Sequence, residues 1–299
     1  MIADASLLQI VILAVVQGLA ELLPVSSSAH VIVAAKLMKL DPTTPEMTLL
    51  VVMLHAGTML AVILYFWPAW KSSLFASRAV FRQQAVRLAL ATTATVAVGG
   101  PLILGIEKGA ERAGYLVADA QGRRPKVEIE MLFGNLGLVA AGLAAAGALT
   151  LIAGLAERRA ARNGAVGVRE ALWIGAVQGL CLPFRGFSRS GATISTGLLL
   201  GVLKARAEEF SFALAVIITP PVIGHEVWRL VQARREAGDW QLRWSLFGPG
   251  LLGMVCAFLA GLLALKWLSR WLEGGRWYLF GVYCLAAASV VFALYCYGR

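Results

Sequence analysis

Six runs of roughly 20 apolar residues, the length that crosses a hydrocarbon core, occupy positions 47–67, 86–106, 131–153, 210–230, 246–265 and 277–297. Two further apolar regions, about 7–40 and 168–203, are each interrupted near the middle by proline, serine and charged residues, which leaves a half-length apolar piece on either side. Non-helical backbone at membrane depth is tolerated where it is buried in protein or faces a watery cavity, so each interrupted region predicts a re-entrant helical hairpin. Trp67, Trp70, Trp228, Trp240, Trp244, Trp267, Trp271 and Trp277 fall near the ends of the runs, as interfacial aromatics do. Small residues over 142–147 predict a close helix contact there.

The interrupted regions resemble each other. Val16-Gln17-Gly18-Leu19 returns as Val177-Gln178-Gly179-Leu180, a proline follows in both, and Ser26-Ser27-Ser28-Ala29 corresponds to Ser188-Arg189-Ser190-Gly191. An acidic residue then opens a full span in each copy, Glu46 in one and Glu209 in the other. The fold expected is therefore all-α: one polytopic membrane domain over 1–299, with repeat one at 1–156 and repeat two at 157–299, each a re-entrant hairpin plus three transmembrane helices. Three crossings invert the second copy, and inverted repeats set their broken helices head to head near the midplane. Lys71, Arg78 and Arg82 after span one, and Arg158, Arg159, Arg162 and Arg169 after span three, mark those loops as cytoplasmic. Arg123, Arg124 and Lys126 work against this bias but have five acidic neighbours, Glu107, Glu111, Asp119, Glu128 and Glu130. Hairpin one then enters from the periplasmic side and hairpin two from the cytoplasmic side.

Composition agrees. A mean hydropathy of +0.74 with only 15% charged residues lies outside the balance of a soluble domain. The net charge of +10 sits in short clusters between apolar runs, where anionic head groups are the natural partners; no segment could fold as a nucleic-acid-binding module, so no nucleic-acid partner is expected. The N-terminus lacks a basic stretch and a small-residue cleavage site, so the first apolar run is expected to stay in the protein. Cys181, Cys256, Cys284 and Cys296 show neither CxxC spacing nor histidine partners, and are expected to be inert buried hydrophobes.

An ionisable residue inside a membrane segment costs several kcal/mol and is a functional-site candidate by default. Gln17 and Glu21 are four apart and share one face of a helix; together they suit a divalent cation, or Glu21 alone suits a general base. Pro24 breaks that helix, and the serine run Ser26-Ser27-Ser28 offers N-caps for a new one starting near Ser27 or Ser28. Its N-terminus, facing the break, is an anion site. His30 follows Ser27 by one turn, so the two could be a nucleophile and its base, or His30 could itself attack or protonate a leaving group. The plainer reading is that the serines cap and His30 is a satisfied interior side chain. In the second copy Arg185 and Arg189 surround a helix start at Ser190 or Gly191, and arginine's planar fork suits phosphate. Ser188 and Ser190 flank Arg189, and the glycines let backbone approach a ligand. His55, inside span one, and His225-Glu226 in span four have no counterparts and read as packing residues, with His55 as a group that could stand behind the site.

Gln17-Gly18-Leu19-Ala20-Glu21, Leu23-Pro24-Val25-Ser26-Ser27-Ser28-Ala29-His30, Ser188-Arg189-Ser190-Gly191-Ala192-Thr193 and Glu209-Phe210-Ser211-Phe212 together resemble the bacterial undecaprenyl-diphosphate phosphatases that confer bacitracin resistance. The resemblance implies an integral inner-membrane hydrolase that removes the terminal phosphate of a C55 isoprenoid diphosphate and returns the carrier to cell-wall synthesis. It also implies a divalent metal cofactor, Mg or Ca, and a site open to the periplasm. Carried over, it makes Glu21 the essential carboxylate and metal ligand with Gln17, Ser27 and His30 the nucleophile and acid/base pair with roles open, and Arg189 the phosphate clamp. Ser26, Ser28, Ser188, Ser190, Gly191 and Arg185 would complete the phosphate site. Partners would be undecaprenyl diphosphate and membrane lipids, with a homodimer left open. One departure stands out: Arg185 occupies the place where the family pattern has a proline before Gly186. The rival from another class is a secondary transporter or polyprenyl-phosphate flippase, since inverted repeats with broken helices are common there. A rhomboid-like protease is disfavoured because arginine, not glycine, follows Ser188. A soluble-type acid phosphatase is disfavoured because no histidine follows Arg189 at the expected interval.

Overall fold

The computed structural model describes residues 6–41, 44–112, 135–157, 164–236, 244–272 and 276–298. Ten helices run through them: α1 Leu7–Glu21, α2 Ser27–Leu37, α3 Pro45–Ser73, α4 Arg78–Arg112, α5 Leu136–Glu157, α6 Val168–Cys181, α7 Arg189–Leu199, α8 Lys204–Glu236, α9 Trp244–Leu272 and α10 Tyr278–Cys296. Among the described residues the sole β feature is an isolated bridge between Gly164 and Val202, so the chain is all-α. The long helices α3, α4, α5, α8, α9 and α10 each contain an apolar stretch long enough to cross a membrane. Their outward positions are apolar as well: Leu60, Leu64, Val96, Leu104, Ile152, Leu263 and Val290 are all exposed. Water would not tolerate that surface, whereas lipid is a matching solvent.

The short helices are the interrupted regions of the sequence. At 15 residues α1 is about 22 Å long, and α2, α6 and α7 are shorter still, so none reaches across the roughly 30 Å core. Local chemistry sets their starts. Ser6 and Gln9 exchange hydrogen bonds between side chain and backbone to cap α1 (3.2 and 2.7 Å). The amide of Ala29 reaches Ser26 Oγ at 3.4 Å to cap α2, and the amide of Gly191 reaches Ser188 Oγ at 3.1 Å to cap α7. The new helices thus begin at Ser27 and Arg189, at or just before the positions the sequence suggests.

The order of two short helices followed by three long ones occurs twice, and the contacts repeat it. α1 lies on α9 while its counterpart α6 lies on α4, and the counterpart pairs α3 with α8 and α5 with α10 pack on each other. Glycine makes the first of these contacts possible. A methyl added at Gly18 would stand 2.9 Å from the Ala257 carbonyl oxygen of α9, and one at Gly179 would stand 2.6 Å from the Thr95 carbonyl oxygen of α4. The small residues over 142–147 do the same for α5: Gly142 abuts the backbone of Arg185 and Phe187, and Gly147 abuts Gly281 and Cys284 of α10. The largest core cluster joins Val62, Ile194, Leu198, Phe210, Phe212 and Trp277 from both halves.

Two tryptophans depart from the interfacial expectation. Trp70 is buried and donates its indole N–H to the Glu209 carbonyl at 3.2 Å, and Trp277 is buried with its N–H on Ser195 Oγ at 3.1 Å. Both lie near helix ends yet satisfy a neighbouring helix rather than a head group. Trp67 and Trp228 are exposed as expected. Cys181 and Cys284 are buried and free, whereas Cys296 is exposed near the end of α10, contrary to expectation. Residues 131–134 and 158–163, with Arg158, Arg159 and Arg162, and the expectations on Arg123, Arg124, Lys126, Asp119, Glu128, Glu130 and Trp240, lie outside the described residues. So do the side chains of Glu46, Glu226, Trp244, Trp267 and Trp271.

Candidate active site

The two breaks meet. Ser190 Oγ, at the start of α7, donates to the Leu23 carbonyl at 3.2 Å, and a methyl on Gly191 would approach the Pro24 carbonyl to 3.0 Å. Cys284 of α10 donates to the same Pro24 carbonyl at 3.4 Å. Behind α7, Thr193 shares a 2.6 Å hydrogen bond with Ser211 of α8, which ties the motif at 209–212 to the second break. The Arg185–Gly186 turn is held by shape: Gly186 has φ +98, and a side chain there would collide with the Val139 carbonyl of α5. The turn therefore keeps a fixed path without the proline that the family pattern has at 185.

Glu21 is the hub. Its carboxylate is almost fully buried at the last turn of α1 and takes partners from four elements. Arg189 of α7 pairs with Oε1 at 2.6 Å. Ser27 at the start of α2 donates a short hydrogen bond to Oε2, and Gln17, one turn earlier on α1, donates Nε2–H to the same oxygen at 2.8 Å. His55 of α3 brings Nε2 to 3.3 Å from Oε2. Three sequence-predicted residues, Gln17, Ser27 and Arg189, thus converge on the carboxylate of a fourth, Glu21. Two atoms around it are buried and unpartnered, Gln17 Oε1 and Arg189 Nη1. Orphaned polar groups of opposite character, an acceptor beside the carboxylate and a guanidinium donor beside a helix start, suit a ligand that is itself part cation and part phosphate.

The other predicted residues ring this hub. Ser26 is the N-cap of α2 in a left-handed conformation, φ 65, uncommon for a residue with a side chain. Its hydroxyl lies 3.3 Å from that of Ser28, and the hydroxyls of Ser188 and Ser190 repeat the arrangement at 3.5 Å. Arg185 is half-buried and within electrostatic reach of His55. His30 is not hydrogen-bonded to Ser27. It donates Nδ1–H to the Ser26 carbonyl at 2.8 Å, which leaves Nε2 to accept from Tyr283 at 2.7 Å, with the two rings stacked. Ser27 has Glu21 instead.

One site residue escaped the sequence reading, and another was read only as a group that could stand behind the site. Tyr283, from α10, carried no signal; only the fold brings it to His30. His55 did carry one, because an ionisable side chain inside a span is itself a functional flag, but it has no counterpart in the second copy. Neither does Glu21: its position in the second copy is Leu182, while Ser27 answers to Arg189. His225 lies in α8 against Trp228.

A divalent cation fits this donor set in kind. Glu21 supplies the charge and Gln17 a neutral oxygen, and a magnesium-like ion takes few protein ligands when substrate phosphate supplies the rest. Among the described residues no group of three or more His, Cys, Asp and Glu side chains gathers.

Comparison with known proteins shows the family. The family model described as bacitracin resistance protein BacA matches residues 10–290. Undecaprenyl-diphosphatase 2 of Acinetobacter baylyi is 54% identical over 290 residues, covering 96% of this chain and 98% of the relative. Undecaprenyl-diphosphatases of Desulfosudis oleivorans and Thermus thermophilus are 34% identical over 297 residues and 33% over 285, covering 95% and 93% of this chain and 96% and 94% of the relatives.

Proposed function

This chain belongs to the bacitracin resistance protein BacA family, and we propose that it hydrolyses undecaprenyl diphosphate to undecaprenyl phosphate and inorganic phosphate. The observation that carries the reading is the buried convergence of Glu21, Ser27 and Arg189 where two helix breaks meet inside an apolar bundle. The product returns to cell-wall synthesis, and faster recycling of the carrier accounts for bacitracin resistance.

The chain's own groups divide the work. Arg189 Nη1 is the donor for a non-bridging oxygen of the terminal phosphate, and the first turns of α2 and α7 add their positive dipole ends. Ser26, Ser28, Ser188 and Ser190 bring hydroxyls to the same rim, with Gly191 letting the backbone come close and Arg185 adding charge. In hydrolysis the bond between the terminal phosphorus and the bridging oxygen breaks, and an oxygen from water ends on the released phosphate. Glu21 is placed to accept the proton of Ser27, the nucleophile in one version; in the others water or His30 attacks. In each version the leaving group is the lipid monophosphate, whose stabilisation needs positive charge more than proton transfer. We propose Glu21 and Gln17 as the protein ligands of a divalent cation, which when bound would offset charge on the diphosphate.

Inverted topology is part of the same proposal. Its support is the repeated helix order and the pairing of counterpart helices, with α1 on α9 answering α6 on α4. Lys71, Arg78, Arg82 and Arg169 then face the cytoplasm of a bacterial inner membrane, and the site opens towards the periplasm.

The test is phosphate release from a polyprenyl diphosphate by purified, detergent-solubilised protein without any gradient. Turnover is expected, and Glu21→Ala and Arg189→Ala should each lower it at least about a hundredfold. Near-normal turnover in either folded variant would remove that residue from the mechanism. Binding of the lipid without turnover would favour the transporter or flippase reading.

A further inference from the structure

His55 of α3 stands against the Glu21 carboxylate. Its Nδ1 lies 2.8 Å from the Val51 carbonyl, which can only accept, so Nδ1 carries the hydrogen. In the neutral ring Nε2 is then a bare lone pair, 3.3 Å from Glu21 Oε2, another acceptor. Two acceptors at that distance need something positive between them, a proton on Nε2 or a metal ion. Histidines that bind metals show this arrangement, one ring nitrogen donating to a backbone carbonyl and the other left to the metal. At 3.3 Å the two atoms are close enough that one bound ion would reach both. A second observation points to the same place: Gln17 is fully buried with Oε1 unpartnered, and a half-turn of its amide exchanges Oε1 with Nε2, the atom 2.8 Å from Glu21 Oε2.

Resting on the divalent-metal reading above, we infer that His55 Nε2 is a third protein ligand beside Glu21 and Gln17, making the site a mixed nitrogen and oxygen site. An all-oxygen set would suit calcium or magnesium, whereas imidazole moves preference towards first-row transition ions. This departs from the Mg or Ca expected from the resemblance. Arg185 and Arg189 oppose a cation here, and the negative charge of the diphosphate offsets them. The second copy differs in the carboxylate: Leu182 stands where Glu21 does, so Gln178, whose Oε1 is likewise buried and unpartnered, has Nε2 on Thr95 at 3.2 Å and no acid beside it.

The experiment loads the full-length, detergent-solubilised protein with one equivalent each of Mn²⁺ and inorganic pyrophosphate, which supplies the offsetting charge, and records pulsed electron paramagnetic resonance. Echo modulation from an imidazole ¹⁴N is expected in the wild type and in His30→Ala, and its loss is expected in His55→Ala and in the milder His55→Gln. His55→Ala should weaken Mn²⁺ binding at least about tenfold while changing Ca²⁺ binding less. Bound Mn²⁺ without nitrogen modulation would overturn the imidazole ligand and leave the metal reading standing, with a shared proton in its place between His55 and Glu21. Modulation that survives in both His55 variants would likewise overturn it. Failure of the wild type to bind Mn²⁺ or Ca²⁺ while it still releases phosphate would overturn the metal reading and this inference together.

Discussion

Ser27 carries the sharpest question at the scale of single residues. Its hydroxyl is committed to Glu21, so the base that activates it, if it attacks, is a carboxylate held on its other oxygen by Arg189. A covalent phosphoserine should then accumulate under rapid quench with the wild type and vanish in Ser27→Ala, with turnover lowered about a hundredfold or more. A phosphohistidine at His30 would instead require Nε2 to give up Tyr283, and absence of both adducts would leave water as the attacking group. Arg189 invites a different substitution. Arg189→Ala leaves the Glu21 carboxylate buried without its cation, a change that costs about 3–5 kcal/mol in buried pairs. Arg189→Lys keeps the charge and removes the fork, so it separates stability from chemistry: a near-native unfolding midpoint with at least about tenfold slower turnover is expected. Much of this site was legible in sequence. The four-residue spacing of Gln17 and Glu21, the proline and the serine caps are local features, and local chemistry decides them. Tyr283 and the engagement of Ser27 by Glu21 instead of His30 depend on how distant segments meet, which spacing along the chain does not encode.

Between elements, close approach rather than apolar area decides the contacts, because lipid is as apolar as leucine and gives helices no hydrophobic reason to associate. Gly18 and Gly179 occupy corresponding positions and serve corresponding crossings, α1 over α9 and α6 over α4. Gly179→Val should push α6 off α4, and overpacking of this kind destabilises by about 1–3 kcal/mol. A lowered thermal midpoint in detergent is the expected readout, and an unchanged midpoint would mean that α4 yields freely. The sequence announced the repeated Gln-Gly pair but not what it faced. The tryptophans show the reverse failure: Trp70 and Trp277 sit where an interfacial belt predicts them, yet each spends its N–H on another helix. Position along a helix sets depth in the membrane, whereas direction around the helix comes only from packing.

For the whole molecule, inversion is the claim with the widest reach. Lys39, between α2 and α3, and Leu203, between α7 and α8, lie in counterpart connections, so inverted repeats must put them on opposite sides of the membrane. In a protein cleared of its native cysteines, Lys39→Cys should react with an impermeant maleimide from the periplasmic side. Leu203→Cys and Ala76→Cys, the latter between α3 and α4, should react from the cytoplasmic side. Labelling of positions 39 and 203 from the same side would sink the inversion and with it the head-to-head reading of the breaks. The ion pair between Arg189 and Glu21 bears on turnover as well as on assembly. With Nη2 held on Glu21, the charge that Arg189 offers a phosphate through Nη1 is already offset by a tethered carboxylate, present at an effective concentration far above that of the free ion. Inorganic phosphate should therefore inhibit the wild type only weakly, and Glu21→Gln, which removes the competitor's charge, should bind phosphate more tightly when followed by ³¹P line broadening.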